Sequence, residues 1–396
     1  APEFLYIDDD ISGLSCFCPQ CIRRFEQQYH VFGELTATRE HLLTFFASDD
    51  PKVRQHVREA WMSFNALRIG ELFELIERTV HRVNPKITLG AMTYMTGADG
   101  LDTDNWARQL RGNAAEIRWR PGGGVYHDYT PINVIEKANR MSAQIRYLPA
   151  FAMKVDSEIE NFPYQSLKKT PSFTAFEALI YLAAGCTGTA FNICAKEEQL
   201  GEEHDEFFKM ALEVKKAGQL LSETFGREAL SGAGFWWNKK TAAHADEREW
   251  DMNKPIPFAN DIHEVGIPMA CDEKMVSLYF LNKTSAMQMN DEELKRCLSK
   301  GVLMDCQALD VCNKRGYGAL TGFKVKDSYE SDTMEHELEH SLNMPGCHKR
   351  NPRQAFGYCE ATYTIEKVKD SAEYLAENLD LKGHLRGMSS GIFENE

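Results

Sequence analysis

Short apolar runs of strand length recur along the first 226 residues with amphipathic helical stretches between them, and any fold of this chain must satisfy that alternation. Phe4-Leu5-Tyr6-Ile7 is the first, running directly into Asp8-Asp9-Asp10. A helix is predicted from Val53 to Val83, because Val57, Trp61, Phe64, Leu67, Leu72, Phe73, Ile76, Val80 and Val83 recur at three- and four-residue steps until Asn84-Pro85 stops them. Ile87 to Met92 reads as the next strand. A helix near 103–111, a strand at 115–119, a helix at 132–143 and a strand near 145–155 follow. Pro171 opens a helix that Gly185 closes, with Phe173, Phe176, Ile180 and Ala183 as its inner stripe. Gly188 to Ile193 is a strand and 204–225 a helix. Strands apolar on both faces and separated by helices imply an α/β protein with a parallel sheet.

The pattern restarts after Phe225-Gly226. Strands are expected at 276–281, 301–305 and 319–325, with a helix over 291–299 opened by the capping box Asn290/Glu293 and another over 307–314 closed by Gly316. Three regions result: 1–226, a smaller α/β unit at 227–326, and a polar stretch at 327–396 with little periodicity.

Several function classes fall away on composition. With 45 Lys+Arg against 59 Asp+Glu, the net charge of −14 supplies no basic face for phosphates, so no nucleic-acid partner is expected. No apolar run reaches the roughly 20 residues of a membrane span, and no basic-then-apolar leader opens the chain, so no membrane partner is expected. Eleven scattered cysteines fit a reducing compartment, and a cytoplasmic location is the expectation. Because the chain begins at Ala1 on the threshold of a core strand, an upstream segment is expected to be missing.

Two acidic clusters carry the first chemical signal. Asp8-Asp9-Asp10 ends one strand, and Asp156, Glu158 and Glu160 end another. In a parallel β/α barrel the C-terminal strand ends build the site, so the clusters would converge on one cleft. Two facing carboxylates suffice for glycosidic cleavage. The plain alternative is that they cap helices and solvate loops. Cys16, Cys18 and Cys21 form a C-x-C-x-x-C cluster able to wrap one side of a zinc tetrahedron; free thiols are the alternative. Around Gly122-Gly123-Gly124, the residues Trp119, Arg120, Tyr126 and His127 could present rings and donors to a sugar, as could Asn192, although Trp119 serves equally well as a core residue. His336-Glu337-Leu338-Glu339-His340 matches the zinc-protease motif H-E-x-x-H, but its polar flanks and Asn343 argue for a solvated segment.

Ile7-Asp8-Asp9-Asp10-Ile11 followed by Cys16-Phe17-Cys18-Pro19-Gln20-Cys21 resembles the family 42 (clan A) glycoside hydrolases, the β-galactosidases of that clan and their barrel relatives. The resemblance implies a partial (β/α)8 TIM barrel comprising strands four to eight, followed by a flavodoxin-like α/β domain of the kind that trimerises the family, which Val265 to Met269, Gly301 to Asp305 and Lys314 to Gly318 resemble. It implies retaining hydrolysis of a β-glycoside, with a carbohydrate substrate and a homo-oligomer, a trimer by resemblance. On this register Asp9 takes a substrate-binding Asn position and Asp10 the acid/base position, its pKa raised by neighbouring carboxylates. The nucleophile falls in Ser157 to Tyr164, where strand-end position favours Glu158 and the spacing to Pro163 favours Glu160; Glu158 is placed slightly ahead. Cys16, Cys18 and Cys21 would hold a structural zinc. Asp10 is one methylene shorter than the family's Glu, which changes its reach to the glycosidic oxygen and bears on the substrate the resemblance implies; a catalytically silent carbohydrate-binding or assembly protein on the same scaffold is the alternative reading.

Overall fold

The computed structural model describes residues 3–8, 16–94, 102–152, 154–165, 168–194, 202–225, 231–236, 238–244, 250, 267, 269–270, 274–330, 332–355 and 361–395. The chain divides into two compact units, Ala1–Ser277 and Leu278–Glu396.

In the first unit five parallel strands pair in chain order: Phe4–Ile7 (β1), Thr88–Thr93 (β2), Arg118–Pro121 (β3), Lys154–Glu160 (β4) and Gly188–Asn192 (β5). Each crossover contains helix, as parallel pairing requires. The helices are Pro19–Tyr29 (α1), Arg39–Phe46 (α2), Pro51–Val83 (α3), Thr103–Arg111 (α4), Ile132–Tyr147 (α5), Pro171–Ala183 (α6) and Asp205–Thr224 (α7). The result is a curled half-barrel, consistent with a partial TIM barrel. Proline at the first helical position and a capping oxygen start two of the helices: Asp50 accepts from Lys52 N at 2.9 Å for α3, and Thr170 accepts from Phe173 N at 3.3 Å for α6.

The core lies between the sheet and its helices. Leu89, Ala91, Ile117, Trp119, Val155 and Ile159 point from the strands into a layer with Trp106, Leu110, Met141 and Tyr181. At about 1.5–3 kcal/mol for each large apolar side chain removed from water, this layer is the main force holding the helices on the sheet. A second aromatic cluster, Phe25, Phe46, Trp61 and Phe64 with Ile22 and Leu42, packs α1 and α2 against the first half of α3.

Several boundaries differ from the sequence expectations. The strand expected at 145–155 begins at Lys154, because Val134, Ala138, Met141 and Ile145 form one buried stripe that carries α5 on to Tyr147. β3 lies at Arg118–Pro121 in place of 115–119. The inner face of α6 is Thr174, Glu177, Ala178, Tyr181 and Leu182, whereas Phe176 is exposed, because two lysines draw Glu177 inward. Gly232–Phe235 (β6) and Met269–Ala270 (β7) form a short parallel pair.

The boundary between the units falls within Val276–Leu281 (β8), whose residues from Leu278 pair in parallel with Gly301–Met304 (β9). Lys283–Gln288 (α8) and Asp291–Leu298 (α9) lie between them, α9 with both bonds of the expected capping box, and Cys306–Lys314 (α10) follows. The strand expected at 319–325 is a helical turn, Gly318–Thr321 (α11), and strand only from Phe323, because Gly322 adopts φ +73° and reverses the chain.

The 327–396 stretch, polar and weakly periodic in sequence, belongs to a sheet. Phe323–Tyr329 (β10), Thr333–Glu337 (β11), Arg353–Ala355 (β12), Thr362–Lys367 (β13), Glu373–Asp380 (β14) and Leu385–Ile392 (β15) form an antiparallel sheet in the order β10-β13-β15-β14-β11-β12. This overturns any zinc-protease reading of H-E-x-x-H. His336 lies on β11 opposite Glu377, not on a helix, and His340 lies beyond the strand. Each ring is engaged by a glutamate: His336 Nδ1 by Glu377 at 2.9 Å and His340 Nε2 by Glu373 at 3.1 Å. The Glu377 bond raises the His336 pKa above its ordinary value.

Candidate active site

Strand parity puts Tyr6, Gly90, Arg118, Arg120, Asp156, Glu158, Glu160, Ala190 and Asn192 on the face opposite the helices. That face is concave and polar. Tyr6 Oη on β1 donates to Asp156 Oδ2 on β4 at 2.7 Å, across two intervening strands. Flat strands about 4.8 Å apart would hold β1 and β4 roughly 14 Å from each other, so the contact requires both the curl and the length of the tyrosine. It also requires glycine at 90, where a Cβ would lie 2.7 Å from the Tyr6 ring. Gly188 beside Asp156 is similar: a Cβ there would meet Oδ1 at 2.4 Å. Burial, then the Asp156 charge, raises the Tyr6 pKa, so its hydroxyl remains a donor.

The carboxylates of β4 have different surroundings. Asp156 also faces Arg118 Nη1 at 4.0 Å. Glu158 is buried and paired with Arg120 Nη2 at 3.1 Å. Glu160, at the strand end, is half-buried and accepts from Asn192 Nδ2 at 3.4 Å; the same amide donates to Tyr164 Oη at 3.1 Å.

Beneath the strand ends lies a buried charged clamp. Glu177 is fully buried and accepts from Lys169 Nζ at 2.6 Å and Tyr181 Oη at 2.9 Å, with Lys137 Nζ at 3.8 Å. Lys137 donates to the carbonyl of Glu158 and Lys169 to the carbonyl of Val125. One carboxylate thereby fixes both β4 and the glycine loop. Burial pushes the Lys137 ammonium down to about 8, against the opposing pull of Glu177 and Glu158.

The glycine loop is shaped by close packing. Gly122 has φ +87° and lies on Met141; Gly123 lies under Tyr94 and Gly124 under Tyr126. Tyr126 is well exposed, with its ring 5.8 Å from Phe162. His127 stacks on Tyr129 at 3.5 Å.

Of the residues expected from the sequence, Arg120, Glu158, Glu160 and Asn192 share the concave face, and Tyr126 is joined to its rim through Phe162 and Tyr164. Trp119 must be corrected from ligand stacking to core: it is fully buried on the helix side, with Nε1 donating to Thr93 Oγ1 at 3.0 Å. Adjacent strand residues face opposite ways, so Trp119 and Arg120 cannot share one surface. Asp8 ends β1, while Asp9 and Asp10 lie outside the described residues. Sequence reading missed Tyr6, Arg118, Phe162, Tyr164 and the lysine clamp; the parity of Tyr6 with Asp8 and of Arg118 with Arg120 was the available signal.

Cys16, Cys18 and Cys21 place their sulfurs within 4.8 Å of one another at the start of α1. Thiolates on one tetrahedral zinc stand about 3.8 Å apart at Zn–S distances of about 2.3 Å, so the donor set fits three of four positions. Among the described residues no fourth His, Cys, Asp or Glu joins this group. The Cys21 backbone N–H pulls the Cys18 thiol down to about 7, while burial raises Cys21 to about 11.

A cavity of about 800 Å³ lies elsewhere, between β5 and α7 on the helix side, lined by Leu182, Phe191, Phe208, Leu212 and Val214. Glu223 is the one carboxylate in its lining, so it holds no carboxylate pair. Among the described residues no helix is long and apolar enough to cross a membrane.

No protein-family profile and no curated protein matches this chain. Among solved structures it is similar to a polyextremophilic β-galactosidase from the Antarctic haloarchaeon Halorubrum lacusprofundi, at 11% identity and a TM-score of 0.49. The match covers 94% of this chain and 62% of the other, so the chain spans less than two thirds of that protein's length. At that identity and score the likeness assigns no family.

The clamp makes a direct prediction. Glu177→Ala leaves two buried ammonium groups without their carboxylate and should lower the unfolding free energy by about 3–5 kcal/mol. Urea denaturation of the full chain checks this; an unchanged midpoint would refute the clamp.

Proposed function

We propose that this chain is a retaining glycoside hydrolase acting on a β-glycoside, with a β-galactoside-like compound as its substrate. The observation that carries it is the Tyr6–Asp156 bond, which brings the concave faces of β1 and β4 together. Asp10 follows Tyr6 by four residues, a reach of at most about 14 Å of chain, and the carboxylates of β4 lie one and two alternations beyond Asp156.

In the proposed roles Asp10 protonates the departing oxygen and later deprotonates water, while a glutamate attacks the anomeric carbon to form a glycosyl-enzyme. Accessibility reverses the order the sequence suggested. Glu158 is buried against Arg120, whereas Glu160 opens toward the rim with Asn192 beside it, so Glu160 is proposed as nucleophile and Glu158–Arg120 as the charge pair beneath it. Asp9, His127 and Asn192 are proposed substrate contacts. Cys16, Cys18 and Cys21 are proposed to hold a structural zinc that pins the loop following Asp10. The parallel β8–β9 pair with α9 between its strands supports the flavodoxin-like reading of 227–326.

Two outcomes are expected. Glu160→Ala should lose at least about a thousandfold in hydrolysis of an activated aryl β-glycoside while remaining folded, and added azide should restore turnover and give the α-glycosyl azide; Glu158→Gln and Asp10→Asn should also be impaired. Hydrolysis undiminished in all three variants would overturn the roles assigned here, and a parent without hydrolysis would leave only a carbohydrate-binding role. The purified chain should carry about one zinc, and Cys18→Ala should lose at least half of it by elemental analysis; unchanged content would remove the cysteine site.

A further inference from the structure

Three aromatic side chains stand in sequence along the rim of the concave face, on two loops. Tyr126 follows β3, and Phe162 and Tyr164 follow β4. Ring centroids are 5.8 Å apart for Tyr126–Phe162 and 5.6 Å for Phe162–Tyr164. Phe162 is 52% exposed and Tyr126 39%, although each sits on a loop fixed from below.

That fixing is specific. A Cβ at Gly124 would lie 2.0 Å from the Tyr126 ring, so only glycine lets that ring lie along the loop backbone. Asn161 is fully buried and donates to Ile193 O at 2.8 Å and to Gln165 O at 3.3 Å. Tyr164 N–H donates to Asn161 O at 2.9 Å, and Tyr164 adopts φ +66°, which costs a non-glycine residue energy. These bonds hold the Tyr164 hydroxyl against Asn192, whose amide also reaches Glu160. The wall is thus joined to the proposed nucleophile through one side chain.

The exposed rings of Tyr126 and Phe162 and the half-exposed ring of Tyr164 sit on fixed loops and offer apolar faces at little ordering cost; their planes are inclined by 56° between Tyr126 and Phe162 and by 80° between Phe162 and Tyr164, so they make an angled cleft around Phe162, and the hydroxyl and amide at one end add directional donors. We propose that Tyr126, Phe162 and Tyr164 form a binding subsite for the flat face of a second ring, adjoining the sugar whose bond is cleaved. This deepens the hydrolase reading and rests on it for the position of the cleaved bond. The shared chemistry is a six-membered ring with one apolar face, supplied either by a further sugar or by an aromatic aglycone. The substrate class is therefore a two-ring glycoside, and a single sugar with a small alkyl group leaves the wall uncovered.

The experiment uses the full chain, its Phe162→Ala and Tyr126→Ala variants, and Phe162→Trp, all at exposed positions where folding is retained. Binding of methyl, p-nitrophenyl and disaccharide β-glycosides of galactose and glucose is followed by ligand-observed saturation-transfer NMR, and KM and kcat are measured separately. For the two-ring probes both alanine variants should bind about tenfold more weakly, with Phe162→Trp restoring affinity and the methyl glycosides unaffected. Weakening confined to the p-nitrophenyl glycosides assigns the aromatic source, and weakening confined to the disaccharides assigns the sugar. Two-ring affinity equal to the parent in both alanine variants, or no probe bound by the parent, overturns the subsite. Binding without hydrolysis by the parent would sink the hydrolase reading and leave the wall standing; hydrolysis with KM unmoved in the variants would do the reverse.

Discussion

The hydrogen bond from Tyr6 to Asp156 is the constraint on which the rest of the site depends. It joins strands that two others separate, and it does so only because Gly90 leaves the tyrosine ring room to pass over the sheet. Curl, glycine and donor are coupled: without the bond, Asp156 would lose its hydroxyl partner on a partly buried face. The same logic extends along β4, where Arg118 faces Asp156 and Arg120 faces Glu158. A concave face lined with charge is tolerable because Asp156, Glu158 and Glu160 each have a donor, and such a face can receive a polar ligand without first breaking an apolar core.

Below the sheet, a single buried carboxylate supplies order. Glu177 engages Lys169 and Lys137, and these donate to the carbonyls of Val125 and Glu158 respectively. The glycine loop and the end of β4 are therefore held by one group on α6. Buried ion pairs of this kind seldom add net stability over apolar packing, but they are costly to break singly, which suits a part that must fix geometry.

Much of the first unit was legible from period and punctuation: the extent of α3, with Val57, Trp61, Phe64 and Phe73 buried although Leu72 and Val83 are exposed, the Pro171 start of α6 and the strand at β5 stand where the sequence puts them. The misread pieces have separate causes. Ile145 lies in the last turn of α5, where Ile145, Tyr147 and Leu148 crowd together just before Pro149, so the end of the helix read as strand. Glu177 was not singled out because its partners Lys137 and Lys169 are brought together only by folding. Trp119 was assigned to the site beside Arg120, although strand parity separates them. The antiparallel sheet of the second unit was invisible because β10, β11 and β15 alternate polar and half-exposed residues, which carry little hydrophobic contrast. Of the site itself, the acidic strand ends and Asn192 were readable from position; Tyr6 and Arg118, which organise them, were hidden as ordinary strand residues.

The central claim is that a carboxylate at the end of β4 attacks a sugar on the concave face. The most direct measurement treats the full chain with activated 2-deoxy-2-fluoro β-glycosides, which slow release of a glycosyl-enzyme, and locates the adduct by peptide mass spectrometry. The account predicts one fluoroglycosyl group on the peptide that contains Glu160. A chain left unlabelled, or labelled on a peptide remote from β4, would contradict it.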